Sequence, residues 1–127
     1  MKIRHIGQVL IKNGCSNLIV DPIVKILQKI GEQGIIKNEE IAVSDTVVNI
    51  YSLAFTGIDS PPFHKFETIP GIDALKEIAI NSDKAGLKSI KPNVIRYLKQ
   101  ILKKGENLEN VLEEAKRSLN ELEKSTT

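Results

Sequence analysis

Two stretches of the sequence decide the fold: VVNIYSLAF at residues 47–55 and VIRYLKQIL at residues 94–102. Their apolar positions correspond when the second stretch is moved back by 47 residues. The second stretch follows the 3.6-residue period of an amphipathic helix, whereas the first is rich in β-branched residues that favour strands. Because the first stretch lies in the same repeating pattern, and because packing often overrides propensity, we predict that both are helical.

A second correspondence precedes the first one in the chain. At a spacing of 49 residues, three apolar residues at helical spacing match three others: Ile23, Ile26 and Ile30 with Ile72, Leu75 and Ala79. A spacing that stays near 48 through two successive helices indicates that helices recur in pairs, close to the roughly 40 to 47 residues of helical arrays. The sequence therefore predicts an all-α stack of five to six helices.

The stretch from Ile69-Pro70-Gly71 to Leu98 has a short lead-in, a helix, a polar turn and a longer helix. In this it resembles one unit of an armadillo or HEAT-type helical repeat, and the resemblance extends over residues 19–104. It implies a short α-solenoid within a single domain, residues 1–127. The repeat units would be about 19–56 and 69–104, and a capping helix would cover about 107–124.

Local signals place the helix boundaries. Ile3, Ile6, Val9 and Leu10 predict a short first helix that Asn13-Gly14 ends. Asp21-Pro22 predicts the start of a second helix that reaches about residue 33, with Gly34 beyond its end. Further helices are expected at 39–56, 72–81, 90–104 and about 108–122. Proline and glycine at 61–62 and 70–71 predict a long loop at 57–71.

Composition and charge exclude several classes of protein. The chain has 127 residues, 41% hydrophobic and 27% charged, with a net charge of +2, as in ordinary globular domains. We find no export signal and no apolar run of the roughly 20 residues that a membrane span needs. A single cysteine, Cys15, allows no internal disulfide. These features predict a cytoplasmic protein that is not inserted in a membrane.

Residues suited to catalysis or metal binding are few. His5 and His64 are the only histidines, and neither has a carboxylate or cysteine at metal-ligand spacing. Cys15 has no neighbour that would activate it, and the glycines form no phosphate-binding pattern. His64 with Glu67 offers one acid/base pair, which leaves a small enzyme or ligand-binding protein, with its site under loop 57–71, as a second alternative function. Otherwise we expect no enzyme activity, cofactor or metal.

The clearest charge pattern is basic. Residues 84–104 contain seven Lys or Arg residues and no acidic one. Such a stripe can contact phosphates, which makes a nucleic-acid-associated protein the first alternative function. The candidate phosphate-binding residues are Lys88, Lys91, Arg96, Lys99 and Lys103. The competing interpretation is a solvated helix face whose ion-pair partners are Glu106, Glu109, Glu113 and Glu114 on the next helix.

A second candidate surface lies on the predicted loop. Phe63, His64 and Phe66 place two aromatic rings on a segment held by the helices, and exposed aromatic residues often anchor protein partners. Alternatively, the two phenylalanines cover the groove between the helices that flank the loop. The leading expectation is a non-catalytic interaction module or scaffold, of helical-repeat type, that binds another protein or a second copy of itself.

Overall fold

The computed structural model describes residues 16–59 and 64–124, and their side chains from 23 to 59 and from 68 to 124. These residues form five helices and no strand, which confirms the all-α prediction. The helices are α1 (Ser16–Ile36), α2 (Glu40–Ile58), α3 (His64–Lys84), α4 (Ile90–Lys104) and α5 (Glu109–Lys124). The helix predicted from Ile3 to Leu10, with His5 and Cys15, lies outside the described residues.

The β-branched run in the middle of α2 is helical, as its position in the repeat predicted. Packing explains why: nine residues of α2 are buried, so its apolar side chains leave water whatever their intrinsic preference. Its buried polar side chains bond to the preceding turn. Thr46 Oγ1 donates to the Ala42 carbonyl at 2.9 Å, and Asn49 Nδ2 donates to the Asp45 carbonyl at 2.8 Å. Both buried polar side chains therefore have a hydrogen-bond partner, so their burial does not disfavour the helix at these positions.

By length and composition, α2 is the one helix of the described chain that is apolar enough to cross a membrane, with a mean hydropathy of 1.4. The expectation that no segment reaches this length and apolarity is therefore wrong. Half of the apolar stretch is buried inside the structure, where α2 packs against α1, α3 and α4. A core helix of a globular domain has these same properties.

The helices pack in a simple order along the chain. Each one contacts the next helix and the next but one, and among the five described helices no pair further apart in sequence makes contact. Consequently α1, α3 and α5 follow one another in one row, and α2 and α4 lie side by side in a second row. The core runs continuously between the two rows, from Ile23 in α1 to Leu122 in α5.

Buried positions in α1 and α3 correspond at a spacing of 48 residues. Five residues of α1 are buried, and so are the five residues of α3 that follow each of them by 48 positions. They are Ile23, Val24, Leu27, Gly31 and Gly34, followed by Gly71, Ile72, Leu75, Ala79 and Ser82. The spacing of 49 drawn from the sequence fits burial less well, because it pairs the buried Val24, Leu27, Gly31 and Gly34 with residues that are only partly buried.

The second row keeps the same spacing. Five buried residues of α2 are again followed, 48 positions later, by five buried residues of α4 and its end. They are Val43, Thr46, Ile50, Leu53 and Gly57, followed by Lys91, Val94, Leu98, Ile101 and Gly105. The spacing of 47 predicted from the sequence is therefore one residue shorter than the spacing at which these buried positions correspond.

The ends of α1 and α3 carry the same cap. Asn38 and Gly86 adopt left-handed backbone conformations, with φ of 59° and 87°. The next N–H closes the cap in each case, from Glu39 to the Gly34 carbonyl at 2.8 Å and from Leu87 to the Ser82 carbonyl at 2.9 Å. These are Schellman-type caps. Asn38, rather than Gly34, thus ends α1, and the helix continues to Ile36 beyond its predicted end at residue 33.

Two predicted helix starts were also wrong. Helix α1 begins at Ser16, so Asp21-Pro22 lies inside it, and α3 begins at His64 rather than Ile72, with Pro70 inside it. Tertiary contacts stabilise this early part of α3. The buried Thr68 hydroxyl donates to the Ala54 carbonyl of α2 at 2.7 Å. One residue after Pro70, Gly71 lets α3 cross closely over α2, since a Cβ there would lie 2.8 Å from the Ala54 Cβ.

Candidate functional site

Three aromatic rings meet where α2 lies beside α4. The Tyr51 and Tyr97 rings are stacked, with centroids 4.4 Å apart and an interplanar angle of 15°, and Phe55 lies 5.4 Å from Tyr51. A shallow pocket opens beside them. We call this region the aromatic surface, and it consists of Tyr51, Phe55, Arg96, Tyr97, Lys99, Gln100, Lys103, Lys104 and Glu106. It contains every aromatic side chain that the structure describes.

Polar contacts hold the rings of the aromatic surface in place. The Tyr51 hydroxyl donates to Gln100 Oε1 at 2.6 Å, across the two helices. Burial raises the pKa of Tyr51, as does the neighbouring Tyr97, while the charge of Arg96 lowers it. Tyr51 therefore remains a neutral donor at physiological pH. A second contact joins the starts of the same helices, where the Glu40 carboxylate accepts the Ser89 N–H at 3.1 Å. The surface is thus pre-organised on two rigid elements.

Cations surround the rings. Lys104 Nζ lies 4.2 Å from the centre of the Phe55 ring and 2.9 Å from the Asp59 carboxylate. The Arg96 guanidinium lies 5.2 Å from the centre of the Tyr97 ring. Such cation–π contacts orient the charged groups. Lys99 and Lys103 are exposed and make no ion pair with any residue that the structure describes.

The structure divides the predicted phosphate-binding residues. Arg96, Lys99 and Lys103 lie exposed on α4, as its helical pattern predicted. Lys91 is a correction: it is only 4% exposed, and its Nζ lies 3.9 Å from an Asp83 carboxylate oxygen. Lys88 is also engaged by Asp83, at 3.4 Å. Lys91 is therefore withdrawn from the open basic stripe, whereas Lys88 remains exposed beside Asp83.

The competing interpretation gave the basic residues glutamate partners on the following helix. The ion pairs that Lys88, Lys91 and Lys104 form instead use Asp83 and Asp59. Glu114, one of those expected partners, pairs with Arg117 on its own helix. Within the described residues, the charge of Arg96, Lys99 and Lys103 is therefore not neutralised by ion pairs with α5.

The other predicted surface falls largely outside the described residues. Phe63 is not among them, and the side chains of His64 and Phe66 are not described either. One part of the prediction is corrected, because His64 and Phe66 belong to the first turn of α3 and not to a loop. The connection between α2 and α3 spans residues 59–63, so the predicted loop 57–71 is much shorter than expected.

Sequence reasoning missed a pair of carboxyl groups between α3 and α5. Asp73 is half-buried, and Glu114 is 8% exposed and hydrogen-bonded to it. Burial, together with the hydrogen bond and the charge of Glu114, raises the pKa of Asp73 to about 7, although Lys76 and Arg117 oppose the shift. A protonated Asp73 carboxyl beside Glu114 is thereby favoured in the folded chain. Only the contact between helices 41 residues apart brings them together, and no local pattern indicates it.

This pair predicts a pH-dependent stability. The ordinary pKa of Asp73 is 3.8, so between about pH 4 and 7 the folded chain holds a proton that the unfolded chain has lost. The stabilisation is complete below about pH 4 and is lost as the pH rises through 7. Solvent screens the half-buried group, so we expect an effect of about 1 kcal/mol. Urea unfolding at pH 5 and pH 8 should show that Asp73→Asn flattens this dependence. Parallel profiles for both proteins would contradict the raised pKa of Asp73.

In the described part of the chain, no three His, Cys, Asp or Glu side chains are grouped so that they could bind a metal ion.

No family model matches the sequence, and no curated protein or solved structure matches it either. Function must therefore be inferred from the surfaces of the molecule. Among them, the aromatic surface combines apolar rings, fixed polar groups and uncompensated positive charge.

Proposed function

We propose that this chain is a non-catalytic interaction module of helical-repeat type, and that it binds an acidic segment of a partner protein on the aromatic surface. One observation carries the proposal: Tyr51, Phe55 and Tyr97 form a fixed cluster beside Arg96, Lys99 and Lys103, whose charges have no ion-pair partners among the described residues. Aromatic and arginine side chains are common anchors in protein interfaces. Positive charge around them selects an acidic partner.

Three features support the helical-repeat part of the proposal. Among the five described helices, each one contacts only the helices one and two places away along the chain, which is the contact pattern of an α-solenoid. Buried positions recur at 48 residues in both rows of helices. The caps at Asn38 and Gly86 recur at the same spacing. Residues 19–56 and 69–104 are then two units, and α5, within 107–124, is the capping helix, with its outer face polar.

Contacts within the aromatic surface favour a protein partner over a nucleic acid. Bases bind by stacking on open ring faces. Here Tyr51 and Tyr97 stack on each other, and Arg96 lies over the Tyr97 ring. The burial of Lys91 beside Asp83 also shortens the row of cations that would follow a phosphate backbone. An acidic helix or extended peptide needs only a few such cations beside an apolar anchor.

Nucleic-acid binding is the second candidate, and Arg96, Lys99 and Lys103 on one helix face favour it. Salt dependence distinguishes the two functions. A protein that releases several counterions from a phosphate backbone loses affinity steeply with salt and binds oligonucleotides of any sequence. A peptide complex anchored by buried rings loses only its screened charge contribution. Fluorescence anisotropy measures the affinity for each class of ligand at two salt concentrations. The ligands are a series of acidic peptides that contain aromatic residues, and single-stranded oligonucleotides.

Charge reversal tests the aromatic surface. We expect Lys99→Glu with Lys103→Glu to weaken binding of the acidic peptides by at least about tenfold, because two attractive charges become repulsive. The melting temperature should stay near that of the wild type, since both residues are exposed. The matched control is Lys116→Glu with Lys124→Glu, which makes the same charge change on exposed positions of α5. If both double variants lose the same amount of peptide affinity, the effect comes from the net charge of the protein and contradicts the proposed site.

A further inference from the structure

The described part of α1 and the start of α2 expose an apolar surface. Four large apolar side chains are exposed in the described residues, and all belong to α1 or to the start of α2. They are Ile26, Ile30, Ile36 and Ile41, with exposures of 47%, 39%, 76% and 81%. We call this region the apolar end. It is separate from the aromatic surface, which uses the later part of α2 and α4.

The repeat explains what kind of surface this is. At the spacing of 48 residues, Ile26 and Ile30 correspond to Ala74 and Ile78 of α3, which are fully buried. Ile78 packs on the preceding helix of its row, since a Cβ added at Gly31 would lie 3.0 Å from the Ile78 Cδ1. The second unit therefore uses these positions to pack against the first. In the first unit, the same positions form a helix-packing face that no described residue covers.

The opposite end of the stack has a different character. The exposed residues of α5 are all polar or charged: Glu109, Asn110, Glu113, Lys116, Arg117, Asn120, Glu121, Glu123 and Lys124. A head-to-tail contact would bury these charges against isoleucines, which is unfavourable. The apolar end is thus not complementary to the other end of the same molecule. Two copies of the apolar end can instead pack against each other and remove their isoleucines from water.

Charge at the apolar end is also self-complementary. The groove that contains Ile26 and Ile30 is bordered by Lys29 of α1 and by Lys37, which follows the end of α1. A second groove, beside Ile41, is bordered by acidic groups including Glu39 and Asp45, and the two grooves share Glu39 and Ala42. One flank is therefore basic and the other acidic. A two-fold rotation places the basic flank of one molecule on the acidic flank of another, as isologous interfaces require.

We propose that the apolar end binds a second copy of this chain, giving a two-fold symmetric dimer joined through α1 and the start of α2. The isoleucines form the apolar centre of the interface, and the lysine and acidic flanks set its orientation. The dimer extends the two-unit stack to four units across the symmetry axis. This gives each molecule the neighbouring unit that helical arrays use to bury their packing faces.

Sedimentation equilibrium of the full chain over a range of concentrations tests the proposal. We expect the wild type to be a dimer, and Ile26→Ser with Ile30→Ser to raise its dissociation constant by at least about a hundredfold, since two central apolar anchors are lost from each side. Lys116→Ser with Asn120→Ser, at the polar end, should leave the dimer unchanged. A wild type that remains monomeric at all concentrations would overturn the proposal, and so would equal effects of the two double variants.

The charge flanks provide a test that leaves the isoleucines in place. Lys29→Glu with Lys37→Glu should weaken the dimer, because both flanks then become acidic. Adding Glu39→Lys and Asp45→Lys to the same chain exchanges the two flanks and should restore self-association. All four residues are exposed, so folding is preserved, and circular dichroism checks this. If the fourfold variant stays as weak as the double variant, the two-fold arrangement is wrong.

Discussion

Replacing Leu98 with alanine should lower the free energy of unfolding by about 2 to 5 kcal/mol. Leu98 is fully buried at the centre of α4, and Ile50, 48 residues earlier, is fully buried in α2. Truncating the leucine removes apolar contacts and leaves a cavity between the two rows of helices, which the packed core fills only in part. Urea unfolding followed by circular dichroism measures the change.

Lys99→Ala is the matched control for Leu98→Ala. It lies one residue further along the same helix and is exposed, so it should change the free energy of unfolding by only about 0.5 kcal/mol. A large difference between neighbouring residues is the signature of an amphipathic helix with one buried face. Equal effects of the two substitutions would mean that the face of α4 that packs against α2 has been assigned wrongly.

Gly71→Ala should destabilise the protein by about 1 to 3 kcal/mol, although alanine is the better helix former. A Cβ at this position would lie 2.8 Å from the Ala54 Cβ and 3.6 Å from its Cα, so α2 and α3 would have to move apart. That movement also strains the hydrogen bond from Thr68 to the Ala54 carbonyl, which spans the same crossing. Thermal and urea unfolding measure the loss.

Two further variants distinguish the steric effect at the crossing of α2 and α3 from a general effect of replacing glycine with alanine. Adding Ala54→Gly to Gly71→Ala restores the space and should recover part of the lost stability. Gly31→Ala should have a small effect, because its nearest neighbour is the end of the flexible Ile78 side chain, at 3.0 Å. If Gly31→Ala is as destabilising as Gly71→Ala, or if Ala54→Gly brings no recovery, the close approach of α2 and α3 is not what limits position 71.

Periodicity predicted the helices whose pattern is local and complete. Helix α4 runs over Ile90–Lys104, the range expected, and its Val94, Leu98 and Ile101 face the core. The β-branched run of α2 was identified as helical only because its pattern returns in α4. Where an apolar stripe continues through every turn of a helix, sequence alone is enough to place the helix and its buried face.

Helix boundaries and the repeat spacing were less predictable, because tertiary contacts decide them. A proline indicates a helix start or a loop, yet Pro70 lies inside α3, where packing on Ala54 and the Thr68 hydrogen bond stabilise the preceding turns. Gly34 was the obvious cap, yet Asn38 adopts the left-handed conformation instead. Apolar matching also paired Ile26 and Ile30, which are exposed, with the buried Leu75 and Ala79, since sequence alone does not tell an exposed apolar side chain from a buried one.

The aromatic surface was predictable only in part. Helical geometry placed Arg96, Lys99 and Lys103 together on α4. It did not reveal that Lys91, one residue inside the start of α4, is buried beside Asp83. The stacking of Tyr51 on Tyr97 depends on how two helices 46 residues apart pack, which no single-helix pattern contains. The available signal was that the two tyrosines lie at nearly the spacing of 48 residues, which places them on neighbouring helices of one row.

Nuclear magnetic resonance mapping of an acidic aromatic peptide on the ¹⁵N-labelled protein tests the central proposal most directly. Changes in amide chemical shift are expected along the exposed side of α2 and α4, around Tyr51, Phe55, Tyr97, Gln100 and Lys103. Residues on the outer face of α5 should remain unchanged, although they too include exposed lysines. Shifts confined to α5 or to the apolar end, or no shifts at millimolar peptide, would contradict binding at the aromatic surface.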